Sequence, residues 1–115
     1  MEKTQLGVFE IYRRLHEDAR LKALSGAKYL YAQGARKVFL FGSIVKPEFF
    51  MRESDIDIAV EGIPDGKSLT VEAGLIDILY PYDFDLIFLD SKDVIAREEI
   101  IEAVKRDGVC IEKFC

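Results

Sequence analysis

The sequence predicts a single α/β (α+β) domain. Three observations carry that expectation: a length of 115 residues, an apolar period of three to four over the first third, and a switch to short apolar runs bounded by turn residues in the rest. That length supports one hydrophobic core and not two. Apolar residues at 50% are too many for a disordered chain, and 8 Gly with 3 Pro are too few for low complexity. No internal repeat or linker divides residues 1–115.

A helix is expected over residues 4–33. Val8, Ile11, Leu15, Ala19, Ala23, Ala27 and Leu30 form its apolar stripe, with Arg13, Arg14, Glu17, Lys22 and Lys28 off it. Gly34 supplies a stop, because a glycine tolerates the left-handed backbone on which helices often end. Unbroken, this helix would be about 45 Å long at 1.5 Å per residue. Gly26 is a candidate bend, and part of the helix is expected to overhang the core and meet a partner. Lys37-Val38-Phe39-Leu40-Phe41 then reads as a buried strand feeding a tight loop at Gly42-Ser43. Residues 55–60, Asp-Ile-Asp-Ile-Ala-Val, form a second strand. Ser68 is placed to cap a helix whose apolar residues are Leu69, Ala73, Ile76 and Leu79, ended by Pro81. Residues 83–89 form a third strand. Asp90 or Ser91 caps a last helix through Val94, Ile95, Ile100, Ile101 and Val104, and residues 109–111 close as a short strand.

Composition narrows the function classes. The net charge of −5 argues against a dedicated nucleic-acid binder, which draws its affinity from cationic surface. The charge is uneven: residues 1–37 hold eight Lys/Arg and four Asp/Glu, the remainder eight and seventeen. An acidic region of that kind either repels anions or holds cations. The polar start, Met1 to Thr4, does not read as a signal peptide, and no run approaches the ~18 apolar residues of a membrane span. Cys110 and Cys115 lack CxxC spacing, so neither a disulfide framework nor a zinc site is expected, and a reduced, cytoplasmic setting follows.

The chemistry gathers on one strand face. Residues at i and i+2 of a strand share a face, so Asp55 and Asp57 lie side by side while Ile56 and Ile58 point the other way. Two such carboxylates repel unless a cation sits between them, and a hard ion such as Mg²⁺ takes oxygen ligands shared with phosphates. Asp85 offers a third carboxylate between Phe84 and Leu86; Asp83 shares its face, and Asp90 is the more natural helix cap. Three carboxylates from two strands suit a pair of Mg²⁺ ions. Gly42 lets backbone approach a ligand, Ser43 adds a hydroxyl, and Lys46 is a candidate point charge for the same phosphates, though a solvated loop lysine is the plainer reading. His16 reads as a surface histidine, Cys110 as a small core residue and Cys115 as an exposed terminal thiol. The Tyr29/Tyr31 and Phe49/Phe50 pairs read as packing.

The stretch FGSIVKPEFFMRESDIDIAV resembles the signature of the DNA polymerase β-like nucleotidyltransferase superfamily, a GS turn followed after ten or so residues by DxD. With the later FDLI and the ending AREEIIEAVKRDGVCIE, the resemblance covers residues 38–112, and the chain is similar to a minimal nucleotidyltransferase. It implies a small mixed β-sheet flanked by helices, with residues 1–34 a helical segment ahead of a catalytic core at 37–112. It places nucleotide binding on Gly42, Ser43 and Lys46, two metal ions on Asp55 and Asp57, and a third metal-binding acid that helps deprotonate the hydroxyl at Asp85. Two features depart from the pattern. Eleven residues separate Ser43 from Asp55, one more than is usual, and Val45-Lys46-Pro47 stands where Ala-Arg-Gly is common.

By that resemblance the expected activity is Mg²⁺-dependent transfer of AMP from ATP to a hydroxyl, with a tyrosine of a HEPN-domain ribonuclease toxin as acceptor and the chain acting as antitoxin. The chain has little room for an acceptor-binding domain, so a partner is part of the expectation. An antitoxin that masks its HEPN toxin by contact, its site weak or silent and its long helix the docking element, is the alternative. Transfer to a small molecule is a third reading.

Overall fold

The computed structural model describes residues 7–91 and 97–112. Its elements are α1 (Val8–Ala32), β1 (Lys37–Phe41), β2 (Ile56–Glu61), α2 (Ser68–Leu79), β3 (Phe84–Phe88), α3 (Arg97–Asp107) and β4 (Val109–Ile111), with short 3-10 turns at Gly42–Val45, Pro47–Phe49 and Asp65–Lys67. The strands form one mixed sheet in the order β3-β2-β1-β4. β1 is antiparallel to β2 and β4, and β2 is parallel to β3 through the α2 crossover. The fold is thus α/β with a mixed four-stranded sheet, helices on both faces and a long N-terminal helix. No helix among the described residues is long and apolar enough to cross a membrane.

Strand alternation sorts the two faces. Val38, Leu40, Ile56, Ile58 and Val60 are buried with Ala19, Ala23, Ala27 and Leu30 of α1 and Val71, Leu75 and Leu79 of α2. Phe39 and Ala59 point the other way and pack with Leu89 and Val104 of α3 in a second, smaller cluster. The two central strands, β1 and β2, therefore bury both faces along part of their length, which explains their near-continuous apolar runs.

α1 is helical without a break through Gly26, so the anticipated bend is absent. What Gly26 provides is close approach: a Cβ there would come within 3.2 Å of Leu75 Cδ2 and 3.3 Å of Leu79 Cδ2. The helix ends as expected. Gly34 has φ +113, and the N–H groups of Gly34 and Ala35 donate back to Tyr31 and Leu30. At the other end Val8 and Ile11 are exposed, so the first turns overhang the core. Glu10–Arg13 and Glu17–Arg20 ion pairs blunt the positive charge of this helix.

Other expectations need correction. α2 buries Val71, Leu75 and Leu79, and Leu69 and Ile76 face solvent at 83% and 56% exposure. Ser68 makes no capping bond, and Lys67 occupies the cap position. Asp90 accepts a hydrogen bond from the Gly62 N–H at 3.0 Å and pairs with Arg36, so its carboxylate ties the β2 exit to the segment after α1; the expected start of the last helix lies outside the described residues. Cys110 is exposed on β4, an edge strand. Val94, Ile95 and Cys115 lie outside the described residues, as does the stretch before Gly7 where residues 4–6 of the first helix were expected.

Candidate functional site

The site lies at one end of the sheet, and the register explains why. β1 runs antiparallel to β2, so its C-terminal residue Phe41 pairs with Asp57 near the start of β2. β3 is parallel to β2 and sets Asp85 opposite Asp57. In a parallel pair, register partners share a face. The Gly42-Ser43 turn that leaves β1 is therefore delivered to the carboxylates Asp57 and Asp85, which lie on the α3 side, one step before the apolar Ala59 and Ile87. Asp55 immediately precedes β2, and Ile56 accepts its place by donating its N–H to Asp83 O at 2.9 Å.

Asp57 feels the charges of both neighbouring acids. Partial burial pushes the Asp57 carboxyl up from near 3.8 to about 6, and the negative charges of Asp85 and Asp55 and a hydrogen bond with Asp85 push the same way. The register sets Asp57 opposite Asp85, and Asp55 stands two residues before Asp57. Among the described residues, however, no three His, Cys, Asp or Glu side chains are gathered closely enough to hold a metal ion as they stand.

Gly42 is held tightly to this group. Its φ is +74, and a Cβ added there would run into the Asp57 carboxylate. Only glycine fits both the backbone and the space. From Gly42 the chain turns in a 3-10 helix through Ser43 and Ile44, and the Lys46 N–H closes the turn on Ser43 O at 3.0 Å. Ser43 is half-buried beside the acids' end of the sheet, and Lys46 is exposed. The Lys46 charge helps hold the Asp107 carboxyl below its ordinary range, after the Arg106 hydrogen bond and charge. Lys46, Gly42 and Phe41 line a groove of about 290 Å³ against Ile87 and α3. A cleft of about 750 Å³ is lined by Asp55, Asp83 and Asp85 together with Glu72 and Ile76 of α2 and Tyr80 just after it.

A support behind the turn escaped the sequence reading. His16 is buried, not on the surface, and its Nε2–H donates to Ile44 O at 2.7 Å. Its ring meets the buried Phe50 edge-on at 5.6 Å, and Phe50 in turn meets Tyr82 at 6.3 Å. The Tyr82 hydroxyl donates to Asp18 Oδ2 at 2.7 Å; burial, reinforced by that carboxylate, pushes the phenol well above its ordinary range. α1 thus grips both the GS turn and the approach to β3. The offset His16-x-Asp18 alone carries no signal, since its partners are 28 and 64 residues away. Of the aromatic pairs, Phe50 and Tyr31 are core, while Phe49 is exposed.

Comparison with known proteins agrees with this geometry. Residues 27–111 match the family model described as polymerase beta, nucleotidyltransferase. A solved structure described as a toxin-antitoxin with AMP-PNP is similar in fold, with a TM-score of 0.59 and 25% sequence identity, covering 79% of this chain and 70% of that one. No curated protein sequence matches the chain. The match spans the GS turn, the three acids and all four strands, and the chain belongs to the polymerase β nucleotidyltransferase family.

Proposed function

We propose that the chain transfers AMP from ATP to a hydroxyl group, with a tyrosine of a HEPN-domain toxin as acceptor, and so acts as an antitoxin. The observation that supports it best is the placement of Asp57 opposite Asp85, with Gly42 packed on the Asp57 carboxylate. The similarity to a toxin-antitoxin structure with AMP-PNP supports the nucleotide and the partner class. The HEPN identity and the tyrosine rest on the family resemblance.

The donor set suits Mg²⁺: three carboxylates offer hard oxygen ligands, and Asp57 is driven up by charges that a cation would neutralise. Asp55 and Asp57 would hold two Mg²⁺ ions, with Asp85 completing one. Bound there, the ions would supply charge neutralisation for the triphosphate and for the departing pyrophosphate. The backbone at Gly42 and the Ser43 hydroxyl would hold phosphate oxygens, and Lys46 would add a positive charge beside them. The acceptor oxygen attacks the α-phosphorus, the bond from that phosphorus to the bridging oxygen of the β-phosphate breaks, and pyrophosphate leaves. Asp85 takes the hydroxyl proton. Most of the catalytic effect in such a site comes from position and electrostatics.

Incubation with labelled ATP, Mg²⁺ and the protein encoded beside it tests this reading. Label should appear on the partner and vanish with Asp57→Asn; a partner left unlabelled by the wild type would sink it. Neutralisation by contact alone is the second reading, favoured by the exposed Val8 and Ile11 on the overhanging start of α1. It predicts that toxin inhibition survives the Asp55→Asn/Asp57→Asn double variant.

A further inference from the structure

The cleft of about 750 Å³ extends past the acids assigned to the nucleotide site, from Asp55 and Asp85 to Glu72, Ile76 and Tyr80. Its lining draws on both faces of β3: Phe84 and Leu86 point to the main core, while Asp83 and Asp85 point to the acid side. A cleft touching both sets runs along the free edge of the strand. β3 is the outermost strand, and among the described residues none pairs with its outer side. The hydrogen bonds from the Ile56 N–H to Asp83 O and from the Leu89 N–H to Val60 O turn the odd-numbered backbone groups toward β2. The N–H and C=O groups of Phe84 and Leu86 and the N–H of Phe88 therefore face outward, while the Phe88 C=O accepts the Ser91 N–H at 3.1 Å. Beside this edge stands Ile76, one of the α2 residues expected in the core, with Tyr80 just past the end of the helix. Ile76 and Tyr80, 56% and 72% exposed, form with Glu72 one wall of the cleft.

Charge identifies the occupant. Among the described lining residues are Asp55, Glu72, Asp83 and Asp85, and no lysine or arginine. A second groove of about 380 Å³ continues past Glu72 along Phe88 and adds Asp65, together with Asp90, whose charge is paired with Arg36. A nucleic acid is repelled by such a surface; a chain carrying Arg or Lys is attracted. We propose that this edge is the docking track for an extended, cationic segment of a partner polypeptide, which adds to the sheet as a strand beside β3. Main-chain hydrogen bonds to Phe84, Leu86 and the Phe88 N–H set its register, and alternate side chains meet Glu72, Ile76 and Tyr80 on one side and Asp83 and Asp85 on the other. The track passes Asp55 and Asp85, so a hydroxyl side chain on the segment arrives at the acids. That delivery rests on the transferase reading above; the docking does not.

The test uses the full chain in EDTA, without nucleotide. The probe is a fluorescein-labelled peptide alternating Arg and Val around one Tyr, compared with its Glu-for-Arg counterpart and with a version N-methylated on one edge. Anisotropy should show the cationic peptide binding about tenfold or more tightly than either control. The Glu72→Lys/Ile76→Lys variant, altered at one half-buried and one exposed position of α2, should lose a similar factor. On binding, the amides of Phe84, Leu86 and Phe88 should become protected from hydrogen exchange. Equal binding of the acidic or N-methylated peptide, unchanged binding by the variant, or unprotected amides would each overturn the proposal. A dimer in light scattering that the same variant dissociates would overturn it too, in favour of a second copy. Binding with protection but no nucleotide transfer supports the track and removes the transferase reading. Transfer that the Glu72→Lys/Ile76→Lys variant leaves intact does the reverse.

Discussion

Asp57→Asn should make the protein more stable while abolishing its activity. Burial and the charges of Asp85 and Asp55 raise the Asp57 carboxyl to about 6, so the native state holds it ionised at neutral pH only at a cost. Taken at face value, a rise from near 3.8 to about 6 is worth roughly 3 kcal/mol. Asp57 keeps partial access to solvent, which screens the repulsion, and about 1–2 kcal/mol is the better expectation. The folded-state value lies above the unfolded one, so the native state is favoured by protonation. The cost is absent below about pH 4, grows as pH rises from there to about 6, and is constant above. For a domain of this size the variant should melt roughly 4–8 °C above wild type at pH 7.5 in EDTA. The gain should shrink toward zero at pH 4, and Mg²⁺ should raise the melting temperature of the wild type alone. Calorimetry at the two pH values decides it. A variant that melts at or below wild type at pH 7.5, or whose gain does not depend on pH, refutes the picture of crowded carboxylates.

Further outcomes follow from the same contacts. Asp85→Asn should bring the Asp57 titration back down toward its ordinary range, read by NMR of the side-chain carboxyl carbons, because a repelling charge becomes a neutral hydrogen-bond donor. Gly42→Ala should cost about 1–2 kcal/mol from the left-handed backbone alone, and should weaken ATP binding by more than that loss accounts for, since its Cβ meets the Asp57 carboxylate. His16→Ala should destabilise by about 1–3 kcal/mol by leaving the Ile44 carbonyl without its donor, and urea titration measures it. Leu75→Ala should cost about 2–5 kcal/mol in the same titration, and Leu69→Ala within about 0.5 kcal/mol, because the first is fully buried and the second is exposed.

The strands and the acid face were legible because their signals are local. Alternation alone separates Asp55 and Asp57 from Ile56 and Ile58, and the apolar runs of β1 and β3 need no knowledge of their neighbours. The face of α2 was not legible. Leu69, Val71, Ala73, Leu75, Ile76, Ile78 and Leu79 cover so much of its circumference that two stripes fit the period equally. What chooses Val71-Leu75-Leu79 is the close approach of α1 at Gly26, a contact between residues some fifty positions apart. His16 was lost for the same reason, since its burial is created by Ile44 and Phe50 from a distant loop. Cys110 read as core because β4 is apolar, and the strand's edge position leaves it exposed. The misread stripe on α2 is the more instructive error: Ile76, apolar in excess of what the core takes up, stands beside the β3 edge.

The central claim is that Asp55, Asp57 and Asp85, with the turn at Gly42, form a cation-dependent triphosphate site. Isothermal titration with a non-hydrolysable ATP analogue, with and without Mg²⁺, tests it most directly. The account predicts binding by the wild type that requires Mg²⁺ and disappears in the stably folded Asp55→Asn/Asp57→Asn variant. Binding that is unchanged by EDTA, or that survives in the double variant, contradicts it.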